Sequence, residues 1–168
     1  KHLGLPLAGA RVAIEGFGNV GTFAAKFLED WGAKIVAISD SKGAIYNPNG
    51  LKYSQLMKTK KKTGSVINYL NSEKLAGDKI FTLDVDVLIP AALPDVINAR
   101  NVAEVKAKII VEGANIAVTP EAEKKLYHRE VLVIPDIIAN AGGVISSYAE
   151  HRGWNTEKMF KLVENKIT

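Results

Sequence analysis

Short runs rich in β-branched residues alternate with amphipathic stretches along almost the whole chain. Arg11-Val12-Ala13-Ile14-Glu15 reads as a buried strand. Val20, Phe23, Ala24, Phe27, Leu28 and Trp31 then recur at helical spacing on one face, and Gly32 ends that helix as a left-handed cap. Residues 34–39 form a second apolar run. Strand, helix and strand make a βαβ unit, which requires parallel pairing and a right-handed crossover.

Residues 46–51 carry turn chemistry and predict a small excursion. A helix follows from about Lys52 to Lys62, ended by Gly64. A strand over 85–89 is stopped by Pro90, and 98–106 has a helical look. Residues 109–111 read as another buried strand. Thr119-Pro120-Glu121 is a helix start, with a hydroxyl cap, proline in the first position and an acid in the first turn. That helix reaches about Arg129, and a strand over 131–134 is closed by Pro135. Two helices end the chain, near 141–151 and 156–166. The pattern predicts an α/β fold: a doubly wound, mostly parallel sheet with helices on both faces. The strands lack polar alternation, as strands covered on both sides do.

The 168 residues suit a single domain and bury roughly 70% of the unfolded surface. With no cysteine, disulfides, thiol nucleophiles and thiolate metal sites are excluded, and the composition fits a reducing, cytoplasmic setting. No apolar run is long enough to span a membrane, and the first six residues do not form a secretory signal. The net charge is +4, and Lys58, Lys60, Lys61 and Lys62 hold much of the excess. That run reads as a solvated helix end rather than a nucleic-acid patch, because no aromatic residue interleaves it to stack bases.

Gly16-Phe17-Gly18-Asn19-Val20-Gly21 is a G-x-G-x-x-G placed directly after a strand and opening a helix. Gly16 permits the tight turn, Gly18 lets backbone approach a diphosphate, and Gly21 lets helix pack on strand. The free N–H groups at the helix start complete an anion site. Asp40 lies 40 − 21 = 19 residues after Gly21, at the end of the second strand. An acid there accepts from the adenosine ribose of a dinucleotide, although Asp40 also suits a turn before Ser41 and Gly43. Its charge repels a 2′-phosphate and favours NAD; Ser41 and Lys42 leave NADP possible.

Pro90-Ala91-Ala92, Gly113-Ala114-Asn115 and Asn140-Ala141-Gly142-Gly143 each follow a strand. Small residues there leave room for a flat ring. Asn115 and Asn140 offer amides that can pair with a carboxamide, or serve as ordinary turn and cap residues. No catalytic group stands out. His2, His128 and His151 lack metal-ligand spacing, with His128 read as a solvated cation at a helix end. Asp84 and Asp86 flank a strand and read as edge residues.

These four motifs, in this order, resemble the glutamate, leucine, phenylalanine and valine dehydrogenase superfamily over nearly the whole chain. Residues 39–46 look like the glutamate branch in particular. The resemblance implies a Rossmann-type domain that binds NAD, or NADP, and serves the oxidative deamination of L-glutamate to 2-oxoglutarate and ammonia. It places the diphosphate over Gly16–Gly21 and the nicotinamide near Ala91, Ala92, Asn115 and Asn140. Val144 and Ser147 match substrate-pocket positions, and the Ser147 hydroxyl suits a side-chain carboxylate. The run after Tyr148, from Ala149 to Trp154, departs from the common family pattern.

By the same resemblance, residues 1–168 are one dinucleotide-binding domain of a longer enzyme. The catalytic lysine and aspartate lie in a preceding domain, and the family's chain continues past Thr168. The whole enzyme is implied to be a homo-hexamer, and the isolated domain is expected to be monomeric and inactive. The alternatives are a leucine- or phenylalanine-type dehydrogenase and a non-catalytic NAD-sensing domain.

Overall fold

The computed structural model describes residues 4–167. Strands β1 (Arg11–Glu15), β2 (Lys34–Asp40), β3 (Gly43–Tyr46), β4 (Glu73–Leu75), β5 (Val87–Pro90), β6 (Ile109–Val111) and β7 (Leu132–Ile134) form one sheet ordered β4-β3-β2-β1-β5-β6-β7. The pairs β1–β2, β1–β5, β5–β6 and β6–β7 are parallel, whereas β2–β3 and β3–β4 are antiparallel. The strand order reverses at β1, so its neighbours β2 and β5 carry chain leaving in opposite directions. A crevice at the carboxyl ends follows from that reversal.

The helices are α1 (Asn19–Asp30), α2 (Tyr53–Thr63), α3 (Pro120–His128), α4 (Asp136–Ala139), α5 (Ala141–His151) and α6 (Thr156–Ile167). One face of the sheet packs Val12, Ile14, Ile35 and Ile38 against Ala25 of α1 and Leu56 of α2. The other packs Ala13, Val36, Leu88 and Ile110 against Ala122 and Leu126 of α3 and the connecting segments. The two-layer covering expected from the apolar strands is therefore present.

Several boundaries were legible locally. Gly64 ends α2 in the left-handed conformation, and Gly32 has φ 86° beyond α1. The Thr119 side chain accepts from Ala122 N, with Pro120 at the start of α3.

Three expectations change. Residues 98–106 do not form an α-helix, only a 3-10 turn at Val102–Glu104. Asn98 and Asn101 bond the local backbone instead: Asn101 Oδ1 accepts from Asn98 N at 2.9 Å, and Asn101 Nδ2 donates to the Val96 carbonyl at 2.7 Å. The turn expected over residues 46–51 is present, but two antiparallel strands that the pattern did not predict join the sheet, β3 before that turn and β4 beyond α2. Asp86 is not an edge residue, because β5 is central; its carboxylate accepts from Arg11 N at 2.9 Å and from Lys108 Nζ at 2.8 Å.

The buried side of α1 also differs from its apolar stripe. Gly21 and Ala25 are buried, while Phe23, Phe27 and Trp31 are 58%, 47% and 64% exposed and stack along the outer surface. The cause is the distance between helix and strand. A Cβ on Gly21 would lie 1.9 Å from the Gly16 carbonyl oxygen, so the helix comes nearest to β1 at this glycine, while Ala24 and Leu28 of the stripe pack at the margin of the same core.

Gly21→Ala is expected to destabilise the fold by roughly 3 kcal/mol, since the obstacle is backbone and cannot rotate away. Thermal melting would register this as a Tm lower by about 10 °C. A second expectation concerns Asp86, whose Lys108 and Arg11 N hydrogen bonds hold its carboxyl below the usual aspartate value. The stability from that shift is present above the ordinary pKa and is lost as pH falls through the lowered one. Asp86→Asn should thus cost roughly 1 kcal/mol at neutral pH, discounted for the exposed lysine, and converge with the wild type in urea titrations once pH has fallen through the lowered pKa.

Candidate functional site

The turn after β1 leaves backbone N–H groups free at the start of a helix. Gly16 takes φ 96°, and a Cβ there would meet Ala92 Cβ at 2.8 Å. Gly16 N donates to Ser39 Oγ at 3.0 Å in a buried bond, tying the turn to β2. Gly18 precedes α1 with extended backbone and no side-chain cap, so the first amides of the helix face outward unpaired by a capping oxygen. Nothing lies within 4 Å of a Cβ built on Gly18, which leaves its approach open. Phe17 is buried at 2% exposure and anchors the turn, whereas Asn19 and Val20 are exposed. A diphosphate suits this geometry by N–H donation and helix dipole.

Lys60 departs from the solvated reading of its run. It is half-buried, its Nζ donates to the Phe17 carbonyl, and it lies 5.2 Å from the Phe17 ring centroid. It places a cation at the lip of the glycine turn. Nothing in the spacing of Lys58–62 separates Lys60 from its neighbours; the packing of α2 beside the turn selects it.

Asp40 ends β2 with a well-used carboxylate. Oδ1 accepts from Lys42 N at 2.9 Å and Ser65 Oγ at 3.0 Å, and Oδ2 accepts from Val66 N at 2.8 Å. A carboxylate has about four lone-pair positions, so one remains for an external donor. Asp40 is therefore a turn residue and a tether to the segment after α2, with a single free acceptor position. Ser41 beside it is exposed.

Across the reversal point lies an open cleft of about 850 Å³ that brings together Val20, Ala91, Ala92, Asn115, Asn140, Val144 and Ser147. Gly113 makes its wall possible: a Cβ there would meet Val20 Cγ1, Ala91 Cβ and the Pro90 carbonyl at 3.1–3.2 Å. Asn140 Nδ2 donates to Asn115 Oδ1 at 2.6 Å, linking the loop after β6 to the start of α5. That bond leaves the Asn140 oxygen and the Asn115 amide protons for a ligand, a complementary donor and acceptor pair. Val144 and Ser147, one turn apart on α5, are exposed towards the cleft. The glycine turn and the cleft thus occupy the two sides of one carboxyl-end crevice, meeting at Val20.

Two buried acids support these loops. Glu15 Oε2 accepts from Ala91 N at 3.2 Å and Ala92 N at 3.1 Å. Glu112 Oε2 accepts from Ala117 N at 3.0 Å and closes the loop after β6, where Ile116 has φ 51°. Burial pushes the Glu15 carboxyl above its ordinary value, partly offset by the Ala92 and Ala91 amides. Burial likewise raises Glu112, against the Ala117 and Val118 amides and with repulsion from Asp136 and Glu123. The motif reading passed over Glu15, Ser39 and Lys60. For the first two a signal existed, a polar residue closing an otherwise apolar strand. Among the described residues no group of three or more His, Cys, Asp or Glu side chains could hold a metal ion. His2 lies outside the described residues. No helix described is long and apolar enough to cross a membrane.

The model for the Glutamate/Leucine/Phenylalanine/Valine dehydrogenase family matches residues 1–167. A glutamate dehydrogenase of Aeropyrum pernix is 50% identical over 99% of this chain and 41% of its own length. An NADP-specific glutamate dehydrogenase of Saccharolobus shibatae is 44% identical over 95% of this chain and 37% of its own. An NAD-specific one from Staphylococcus aureus is 43% identical over 99% and 42%. Among solved structures, a hetero-hexameric glutamate dehydrogenase from Thermus thermophilus, in a leucine-bound form, superposes with a TM-score of 0.86 at 32% identity, over 99% of this chain and 40% of that one. The chain thus spans about 40% of the length of the relatives it matches. With a matching family model along nearly its whole length and the same Rossmann-type sheet, the chain belongs to the glutamate/leucine/phenylalanine/valine dehydrogenase family.

Proposed function

We propose that this chain is the cofactor-binding domain of an NAD-dependent glutamate dehydrogenase, which removes the amino group of L-glutamate to give 2-oxoglutarate and ammonia. The observation that carries the reading is the pairing of an uncapped glycine turn with an asparagine-lined cleft on one crevice. The turn suits a diphosphate and the cleft a flat ring bearing a carboxamide. The cofactor, when bound, supplies the ring that accepts the hydride.

The residues divide the work. Gly16, Gly18 and the amides of Asn19, Val20 and Gly21 hold the diphosphate, with Phe17 fixing the turn from below. Asp40 gives its remaining acceptor position to the ribose, and Ser41 lies beside it. Ala91 and Ala92 form the wall behind the ring. Asn115 and Asn140 present a donor and an acceptor to its carboxamide. Val144 and Ser147 face the substrate, Ser147 donating to the side-chain carboxylate of glutamate. The charge of Asp40 favours NAD, while Lys60 and Lys42 supply positive charge that keeps NADP within reach. Relatives of similar identity carry each specificity in their names.

The proton-transferring groups belong to a part of the enzyme outside these residues, and the complete enzyme assembles as a hexamer in the cytoplasm. This chain alone is expected to turn over no glutamate.

Fluorescence titration of the chain with NADH and NADPH tests the reading. Saturable NADH binding is expected, and Gly18→Val should abolish it without lowering Tm, because the added side chain meets only the ligand's path. A folded protein that binds neither nucleotide would count against the cofactor site. Asp40→Ser should lower Tm, through loss of the Ser65 and Val66 ties, and shift the NADH/NADPH affinity ratio towards NADPH by roughly tenfold. A lower Tm with an unmoved ratio would leave Asp40 as a turn residue alone.

A further inference from the structure

Glu15 is the last residue of β1 and is 9% exposed. Its Oε2 accepts from the amides of Ala91 and Ala92, and both alanines line the cleft. The carboxylate is thereby held one peptide behind the cleft wall. Gly16 follows it directly and runs so close to Ala92 that a Cβ would approach to 2.8 Å. Turn and wall pack directly against each other there. Among the described residues Glu15 forms no ion pair.

This placement is costly for a charge. Burial disfavours the ionised form and raises the carboxyl's pKa, with the two amides offsetting part of the cost. A glutamine carbonyl would accept from the same two amides without the desolvation of a charge. What an acid adds at this position is negative potential, directed through a thin wall into the cleft.

We propose that Glu15 is a specificity-determining residue for the redox state of the cofactor: its carboxylate, fixed behind Ala91 and Ala92, favours the oxidised nicotinamide ring over the reduced one. The inference rests on the dinucleotide reading above. The oxidised ring carries a positive charge and the reduced ring is neutral, while the diphosphate and both riboses are the same in the two forms. A fixed negative charge near the ring therefore discriminates between them, whereas one that acted on the diphosphate would treat them alike. For unit charges about 10 Å apart at an effective dielectric constant of about 20, the interaction corresponds to an order of tenfold in affinity. The cleft is open to solvent, so the expected effect is roughly three- to tenfold.

The test is Glu15→Gln in the 168-residue chain, titrated at neutral pH with NAD⁺, NADH and ADP-ribose. ADP-ribose carries the diphosphate and no ring. Glu15→Gln is expected to weaken NAD⁺ by roughly three- to tenfold while NADH and ADP-ribose stay within about twofold. An equal shift in all three ligands would overturn the proposal, because the side chain would then only shape the loop. No shift in any of them would overturn it too, since the charge would not be felt at the ring. If the glutamine variant does not fold, the NAD⁺/NADH affinity ratio of the wild-type chain is followed as pH falls: a ratio that drops as the carboxyl takes up a proton supports the proposal, and a constant ratio overturns it. A wild-type chain that binds none of the three overturns the dinucleotide reading and this inference together, whereas normal wild-type binding with an unselective variant overturns only the role of Glu15.

Discussion

Gly21 packs directly on the Gly16 carbonyl, and the placement of α1 over the end of β1 follows from that contact. It draws α1 so near to β1 that a Cβ on Gly21 would lie 1.9 Å from the Gly16 oxygen. With the helix at that distance, its first amides stand directly over the end of the strand. The same proximity decides which side of α1 is buried. Gly21 and Ala25 fit against the sheet, and the larger Phe23, Phe27 and Trp31 remain outside. An aromatic stripe at helical spacing is here a surface feature, and the close approach is its physical cause.

Around this contact the structure uses polar groups to hold loops rather than to fill the core. Ser39 holds Gly16, Asp40 holds the segment at Ser65 and Val66, Glu15 holds Ala91 and Ala92, and Glu112 holds Ala117. No side-chain nitrogen or oxygen buried among the described residues lacks a partner. Loops at the carboxyl ends of parallel strands have few backbone partners of their own, so carboxylates and hydroxyls at the strand ends supply them. The result is a crevice whose walls are small side chains and whose support lies one layer behind, where it does not compete with a ligand for space.

The two halves of the crevice differ in charge. On the β2 side, the Asp40 carboxylate already holds three donors, and the Lys60 ammonium stands at the Phe17 carbonyl. On the β5 and β6 side, the groups behind the wall are the acids Glu15 and Glu112.

Features that depend on local backbone can be read along the chain. The glycine turn, the cap of α3 at Thr119-Pro120, the left-handed stops at Gly32 and Gly64, and the parallel strands were all readable, because each rests on period or on the φ a residue tolerates. Local reading failed where polar side chains competed with a helical pattern, as at Asn98 and Asn101. Which of four lysines reaches the Phe17 carbonyl, which distant groups bond the Asp40 carboxylate, and which amides Glu15 holds follow from the folded sheet alone. Those partners lie 25 to 77 residues apart along the chain. Their pairing is set by which strands become neighbours in the sheet, and no local periodicity carries that information.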